Sequence, residues 1–189
     1  MTNEIQIVDK LMSSELPEKE RSKLWESAKS ILNSKPEMDS KTGLALGYVQ
    51  SGKTTQMIAL TAAAFDAGYR VVIALLGSTN LLLDQNDRRF KEKLNIENRN
   101  DFRWITMVNP KGSSDQSKVL DNLAKDRVIL VSVLKHAMRI NNLAEILEKI
   151  DMKSYPVLIL DDEADQHSLN PKVNQDEEGK VYESIGNLR

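Results

Sequence analysis

The spacing of apolar residues changes along the chain, from helical periodicity near the amino terminus to short apolar runs further on. Two helical segments come first, at Glu4 to Met12 and at Glu18 to Ser34. The second segment has an apolar face made of Leu24, Trp25, Ala28, Ile31 and Leu32. After them, short apolar runs alternate with helical segments, a pattern typical of a parallel sheet covered by helices on both faces. The pattern therefore predicts an α/β lobe preceded by helices.

The alternating part of the chain predicts five strands with helices between them. The strands are placed at Leu44 to Val49, Arg70 to Leu76, Arg103 to Val108, Arg127 to Val133 and Val157 to Asp161. The helices are placed at Lys53 to Ala67, Asn80 to Leu94, Ser117 to Ala124 and Lys135 to Ile150. The helix from Lys53 is apolar almost all round, which predicts that it is buried against the sheet.

Three regions follow from this pattern. Residues 1–40 are predicted to form a helical segment that packs on the lobe, and residues 41–165 to form the lobe itself. Residues 166–189 are polar and predict a linker or tail, in which only Val181 to Leu188 indicates a short helix.

Composition narrows the class of protein. The 26 basic and 28 acidic residues leave a net charge of -2, so any nucleic-acid contact has to be local. The absence of cysteine excludes a disulfide scaffold and thiolate metal sites, and two histidines are too few for a histidine-built zinc centre. The amino terminus lacks the features of a secretion signal, and no apolar run approaches the roughly 20 residues that span a bilayer. These features predict a cytoplasmic protein without a membrane partner.

The segment G-Y-V-Q-S-G-K-T, from Gly47 to Thr54, fits the phosphate-loop pattern between a strand and a helix. Backbone amides at a helix start can surround a triphosphate, and glycine lets the backbone approach it closely. Lys53 is expected to reach the β and γ phosphates of ATP, and the Thr54 hydroxyl to complete the shell of Mg²⁺. The predicted nucleotide-binding residues are Gly47, Gln50, Ser51, Gly52, Lys53, Thr54 and Thr55. The alternative is a glycine-containing turn without a ligand.

The segment V-L-I-L-D-D-E-A-D, from Val157 to Asp165, is an apolar strand that ends in acidic residues. Carboxylates at the carboxyl end of a parallel strand lie at the edge where open α/β sheets bind ligands. We assign Asp162 to the metal and Glu163 to the attacking water, with Lys53 as the second catalytic residue. Because strand side chains alternate between faces, Asp161 competes with Asp162 for the metal side. A solvated acidic turn is the alternative for the whole segment.

Together these residues resemble a known group of proteins. An S-G-K-T phosphate loop followed by D-E-A-D after an apolar strand resembles the first RecA-like lobe of superfamily-two helicases. The segments V-Q-S-G-K-T, L-L-G-S-T-N-L-L-L-D-Q-N-D-R-R-F and L-I-L-D-D-E-A-D-Q-H-S-L-N are similar to the Z-one domain family. These are bacterial proteins with a superfamily-two ATPase core, often linked to restriction-modification or defence against foreign DNA. The resemblance covers about Thr42 to Pro171 and implies a RecA-like P-loop NTPase lobe with about five or more mostly parallel strands.

The resemblance implies two further features. Gly77, Ser78, Thr79 and Asn80 occupy the motif that contacts a nucleic-acid backbone in related motors, here expected to be DNA, although an ordinary helix cap explains these residues equally well. The coupling motif and the second lobe with its arginine finger are not visible before Arg189. Such a finger contributes about 10³ to 10⁵ in turnover. This chain is therefore expected to bind ATP and to hydrolyse it very slowly by itself.

Two other functions fit parts of the sequence. A nucleoside-type kinase such as thymidine kinase shares the S-G-K-T ending, an acidic D-E-A box and a similar length, but this chain lacks zinc-binding cysteines. A non-catalytic scaffold module would use ATP only to stabilise a surface for another protein.

Overall fold

The computed structural model describes residues 3–33, 52–150, 155–164 and 176–188. The chain divides into two compact units. Unit one contains Met1–Gly68 and Arg89–Arg99, and unit two contains Tyr69–Arg88 and Asn100–Arg189. The boundary predicted at residue 40 and the strand predicted at Leu44 to Val49 lie outside the described residues.

Three helices come first among the described elements, and strands and helices alternate after them. The helices are α1 (Glu4–Met12), α2 (Glu18–Asn33), α3 (Lys53–Asp66), α4 (Asn80–Lys93), α5 (Gly112–Leu123), α6 (Ala137–Glu148) and α7 (Asp176–Leu188). The strands are β1 (Val71–Leu75), β2 (Trp104–Val108), β3 (Val128–Val133) and β4 (Val157–Asp161). The bounds of α1 and β4 are those predicted, and most other elements end within two residues of their predictions.

Two helices begin earlier than the pattern predicts. Helix α5 begins at Gly112 instead of Ser117, because the Asp115 carboxylate accepts a hydrogen bond from the Lys111 amide and starts the helix in a polar stretch. Helix α7 begins at Asp176 instead of Val181. This described part of the predicted polar tail is thus helical and belongs to unit two.

The sheet is parallel throughout its four described strands, in the order β2-β3-β1-β4. The predicted α/β class with a parallel sheet is confirmed, and the fifth predicted strand is the one that lies outside the described residues. The chain passes from β1 over β3 to reach β2, and later from β3 over β1 to reach β4. Because crossovers between parallel strands are right-handed, these two opposite moves place α4 and α6 on opposite faces of the sheet.

The core of unit two lies on the α6 face of the sheet. Alternate residues of β1, namely Val71, Ile73 and Leu75, join a buried cluster with residues of β3, α5 and α6. Helix α7 adds Val181 and Ile185, which are four positions apart and so lie on the same face of the helix. This spacing explains why the helix is stable despite its polar composition.

Unit one is helical, and its helices α1 and α2 both pack against α3. Every residue of α3 from Ile58 to Ala64 is buried, and the helices that pack against it are α1 and α2; its predicted packing against the sheet stays a prediction. Trp25 on α2 is buried as expected, and its indole Nε1 donates a hydrogen bond of 2.7 Å to the Asp9 carboxylate on α1.

A carboxylate at the end of α3 anchors the start of α1. Asp66 accepts hydrogen bonds from the amides of Glu4 and Ile5 at 2.8 and 2.9 Å. The first amides of a helix have no partner within the helix, so this side chain acts as a cap supplied from elsewhere in the chain. The Glu4 side chain is fully buried and pairs with Arg99 through both carboxylate oxygens. The amino-terminal helices are therefore an integral part of unit one.

Among the described residues, no helix combines the length and the apolar composition that crossing a bilayer requires.

We expect Asp66→Ala to lower the free energy of unfolding by about 1 kcal/mol, because two helix-start amides lose their acceptor. The measurement is urea unfolding followed by circular dichroism. Glu26→Ala, which removes an exposed acid on α2 of the same unit, is the matched control and should change stability little. Equal effects of both substitutions would contradict the capping role.

Candidate functional site

The described part of the phosphate loop begins at Gly52, and Gly47, Gln50 and Ser51 lie outside the described residues. Gly52 precedes α3 with left-handed backbone angles, φ 75° and ψ 24°. A Cβ added there would meet no atom within 4 Å among the described residues. Glycine is thus favoured by the backbone conformation and not by crowding.

The next residues form the first turn of α3. Lys53 is exposed, whereas Thr54 and Thr55 are half-buried. Amides in the first turn of an α-helix have no intrahelical acceptor, so they are available to an anion. The start of α3 is therefore compatible with anion binding at its first amides.

A cleft with a volume of ≈310 Å³ opens beside this turn, between α2 and α3 of unit one. Its lining includes Glu20, Lys23 and Ser27 from α2, and Gly52, Thr55 and Gln56 from the start of α3. The Gln56 side-chain amide donates a hydrogen bond of 2.9 Å to the Ser27 hydroxyl. The cleft is open to solvent and carries both charged and neutral polar groups, and the described residues that line it do not include Lys53 or Thr54.

In unit two, the carboxyl ends of the four strands meet at one edge of the sheet. The chain leaves β1 and β3 in opposite directions, and ligand crevices of open α/β sheets form at such a switch point. The loops that follow these strands touch, since the Lys135 amide donates to the Gly77 carbonyl at 3.0 Å. The loops that follow β1 and β3 therefore meet at this edge of unit two.

The acidic residues lie at this edge, beside β1. Asp161 is the last residue of β4 and pairs in register with Leu75. The Asp162 amide donates to the Leu75 carbonyl at 3.1 Å, which continues the strand pairing by one residue. Glu163 is exposed and has a positive φ of 54°. A non-glycine residue in this conformation is uncommon, and such conformations occur frequently at functional sites.

Lys135 is the residue of this edge that the sequence analysis missed. It was predicted only as the start of a helix, but α6 begins at Ala137 and Lys135 lies in the loop before it. Its side chain is fully buried and pairs with the Asp161 carboxylate, with 2.7 Å between Nζ and Oδ1. Nζ also donates a hydrogen bond to the Asp162 carbonyl. In sequence, Lys135 is a single charge two residues after a buried strand, and its partners become visible only through the strand order.

The Lys135–Asp161 contact is an ion pair by distance, yet the Asp161 Oδ1 atom has no hydrogen bond among the described residues. The attraction between opposite charges 2.7 Å apart does not depend on the donor angle, so the two groups form an ion pair without an aligned hydrogen bond. The ammonium is aligned instead with the Asp162 carbonyl. The Asp161 carboxylate is therefore paired with the Lys135 ammonium by charge attraction.

This pairing separates the two candidates for the metal side. Asp161 faces a buried ammonium, whereas no described residue forms a hydrogen bond with the side chain of Asp162 or Glu163. No group of three or more metal-ligating side chains occurs among the described residues. Mg²⁺ commonly uses one or two carboxylates together with water and substrate phosphates, so Asp162 fits a metal that arrives with a nucleotide.

The segment Gly77 to Asn80 joins β1 to α4. Gly77 is buried with a φ of 62°, and an added Cβ would lie 2.7 Å from Leu82 Cβ. Ser78, Thr79 and Asn80 are exposed. The Thr79 hydroxyl accepts a hydrogen bond of 3.3 Å from the Leu82 amide, as a helix cap does. The cap therefore accounts for Thr79, and the exposed side chains beside it remain open to a partner.

The sheet edge thus brings the Gly77 loop and the acidic turn together through Lys135. The phosphate-loop residues belong to unit one and the acidic turn to unit two. Their convergence on one cation stays a prediction.

No protein-family model, curated protein or solved structure matches this chain. Membership of the Z-one domain family therefore stays a prediction that rests on the motifs in this chain.

We expect Gly77→Ala to lower the free energy of unfolding by about 2–4 kcal/mol, because it adds a left-handed side chain and a contact with Leu82. Gly186→Ala is the matched control: this glycine lies in α7, and an added Cβ meets nothing within 4 Å among the described residues. It should be neutral or stabilise by up to about 1 kcal/mol. Thermal unfolding of both variants measures the difference, and a Gly77→Ala protein as stable as the control would contradict the assigned conformation.

At the start of α5, the hydrogen bond from the Lys111 amide lowers the pKa of Asp115, and the Lys118 side chain acts in the same direction against partial burial. A lowered folded pKa stabilises the protein above the unfolded pKa, and this contribution is lost as the pH falls through the folded pKa. We therefore expect Asp115→Asn to reduce stability near neutral pH and to lose that effect in acid. Melting temperatures of both proteins across this range test the sign, and a constant difference would contradict it.

Proposed function

We propose that this chain is an ATP- and Mg²⁺-binding lobe of a superfamily-two helicase- or translocase-like ATPase of the RecA type. The observation that carries the proposal is the left-handed glycine that starts α3, directly followed by an exposed lysine and a half-buried threonine. This is the conformation in which helix-start amides bind phosphate.

The acidic turn supports the second half of the proposal. Asp162 is proposed as the metal-side carboxylate, and the pairing of Asp161 with Lys135 supports this choice. When bound, Mg²⁺ supplies charge neutralisation to the phosphates. At the start of α3, Thr54 is proposed to offer its hydroxyl to Mg²⁺ and Lys53 to bind the terminal phosphates. The exposed Glu163 carboxylate orients the attacking water and accepts its proton.

The partner class follows from the resemblance and from the loop after β1. DNA is the proposed nucleic-acid partner, and Ser78 and Asn80, on either side of the capping Thr79, are the proposed contacts. The proposed biological role is restriction or defence. Their exposed side chains at a helix start can donate hydrogen bonds to a phosphate. A second RecA-like lobe is the proposed protein partner, and it would supply the arginine finger.

We expect Lys53→Ala to weaken binding of Mg²⁺-ATP by about tenfold or more, because the γ phosphate loses a charged hydrogen bond. Isothermal titration calorimetry measures the affinity. Lys29→Ala removes an exposed lysine of the same unit and is the matched control, with affinity like that of the parent chain. Absence of Mg²⁺-dependent ATP affinity in the parent chain would refute the proposal.

Glu163→Gln separates the proposed motor from the two other functions. We expect this variant to bind ATP normally and to lose about 10² to 10⁴ in the single-turnover rate of hydrolysis, as removal of a general base does. A nucleoside that accepts the γ phosphate would identify a kinase instead. Tight ATP binding with a hydrolysis rate that Glu163→Gln leaves unchanged would favour the scaffold module.

A further inference from the structure

We propose that Lys135 is a positioning residue that sets the acidic turn for Mg²⁺-nucleotide binding. Lys135 binds the Asp162 carbonyl and pairs with the Asp161 carboxylate. Asp161 is then not available to the metal, and Asp162 and Glu163 are the carboxylates that remain for it at the sheet edge. The inference rests on the proposed function and assigns a role to a residue outside the phosphate loop and the acidic segment.

The first argument is burial. Lys135 is 5% exposed as a residue and its side chain is fully buried, a rare state for lysine. Desolvation of an ammonium is costly unless its charge is paired and its donors are used. Lys135 meets both conditions within the acidic turn, through the Asp161 carboxylate and the Asp162 carbonyl.

The second argument is the place from which the side chain starts. The Lys135 amide is bonded to the Gly77 carbonyl, and the Leu76 amide to the Val133 carbonyl at 2.8 Å. The backbone of Lys135 is therefore fixed by the ends of β1 and β3, while its ammonium reaches the end of β4. One residue thus joins three adjacent strand ends at the switch point.

The third argument is the geometry of adjacent carboxylates. Successive strand side chains point to opposite faces, so Asp161 and Asp162 cannot both face one cation. Lys135 holds Asp161 in one orientation and binds the carbonyl of the following residue. The carboxylate of Asp162 has no hydrogen bond from any described residue, so its oxygens are available to a cation. The Leu75 carbonyl also holds the Asp162 amide, so Lys135 adds a second contact to the turn, and it is the one that pairs with a carboxylate.

The experiment compares ATP affinity with Mg²⁺ and with EDTA, by calorimetry on the whole chain. The variants are Lys135→Met, the double substitution Lys135→Met with Asp161→Leu, and Lys118→Met as control. Lys118 also pairs with an aspartate of unit two, Asp115, but lies away from the acidic turn in sequence. The double variant leaves no buried unpaired charge, so it tests the role of Lys135 if the single variant does not fold.

We expect both Lys135 variants to lose about 10- to 100-fold in the Mg²⁺-dependent gain of ATP affinity, the usual effect of removing a residue that orients a metal ligand. Affinity in EDTA should stay within about twofold of the parent chain, and Lys118→Met should match the parent in both conditions. If the ion pair had only a structural role, its removal would change the ATP affinity with Mg²⁺ and the ATP affinity with EDTA by the same factor.

Two results overturn the inference. One is a folded double variant that keeps the full Mg²⁺-dependent gain. The other is loss of folding in both Lys135 variants, which would make the ion pair a determinant of stability and not of the metal site. A parent chain that binds ATP without any help from Mg²⁺, or not at all, would instead remove the proposed function on which the inference rests.

Discussion

Parallel pairing of the strands is the constraint on which the rest of unit two depends. Because all four described strands run in the same direction, all their carboxyl ends lie at one edge, and every polar residue that follows a strand is brought there. The apolar strand interiors leave no other place for charge. The Gly77 loop, Lys135 and the acidic turn come from distant parts of the chain and meet for this reason alone.

Electrostatics then distributes roles among residues that the sequence alone leaves equivalent. Asp161 and Asp162 are neighbours of the same type, and alternation along a strand establishes only that they differ in direction. A buried ammonium at 2.7 Å from Asp161 breaks the equivalence. The chemistry assigned to Asp162 therefore depends on a lysine that lies in another loop, and the choice between them is a tertiary effect.

The elements were largely predictable because their signals are local. Helix α1 and strand β4 have the predicted bounds. The helical periodicity of α1 and the apolar run of β4 each lie entirely within the element that they predict. Helix α5 was predicted too short because its start depends on the Asp115 cap in a stretch without apolar residues. Helix α7 was predicted too short because its burial against α6 compensates for its polar composition.

The candidate site was predictable only in part. The phosphate loop and the acidic strand end combine residue type with position in a strand-helix pattern, so a short window of sequence contains the signal. Lys135 has no such window: its partners are Gly77, Asp161 and Asp162, and only the strand order shows that they are neighbours. Thr79 differs from Lys135: the sequence indicated a ligand contact or a helix cap for it, and the structure shows that its hydroxyl accepts a hydrogen bond from the Leu82 amide at the start of α4.

The buried hydrogen bond between Ser132 and Asp87 has a consequence for how α4 sits on the sheet. Ser132 is the one polar residue of β3, and its hydroxyl donates to the Asp87 carboxylate at 2.7 Å. If α4 slid or rotated by a single residue, the carboxylate would enter a hydrocarbon layer without its donor, which is energetically unfavourable. The Ser132–Asp87 hydrogen bond therefore favours one alignment of α4 on the sheet, whereas apolar contacts alone would discriminate less between alignments.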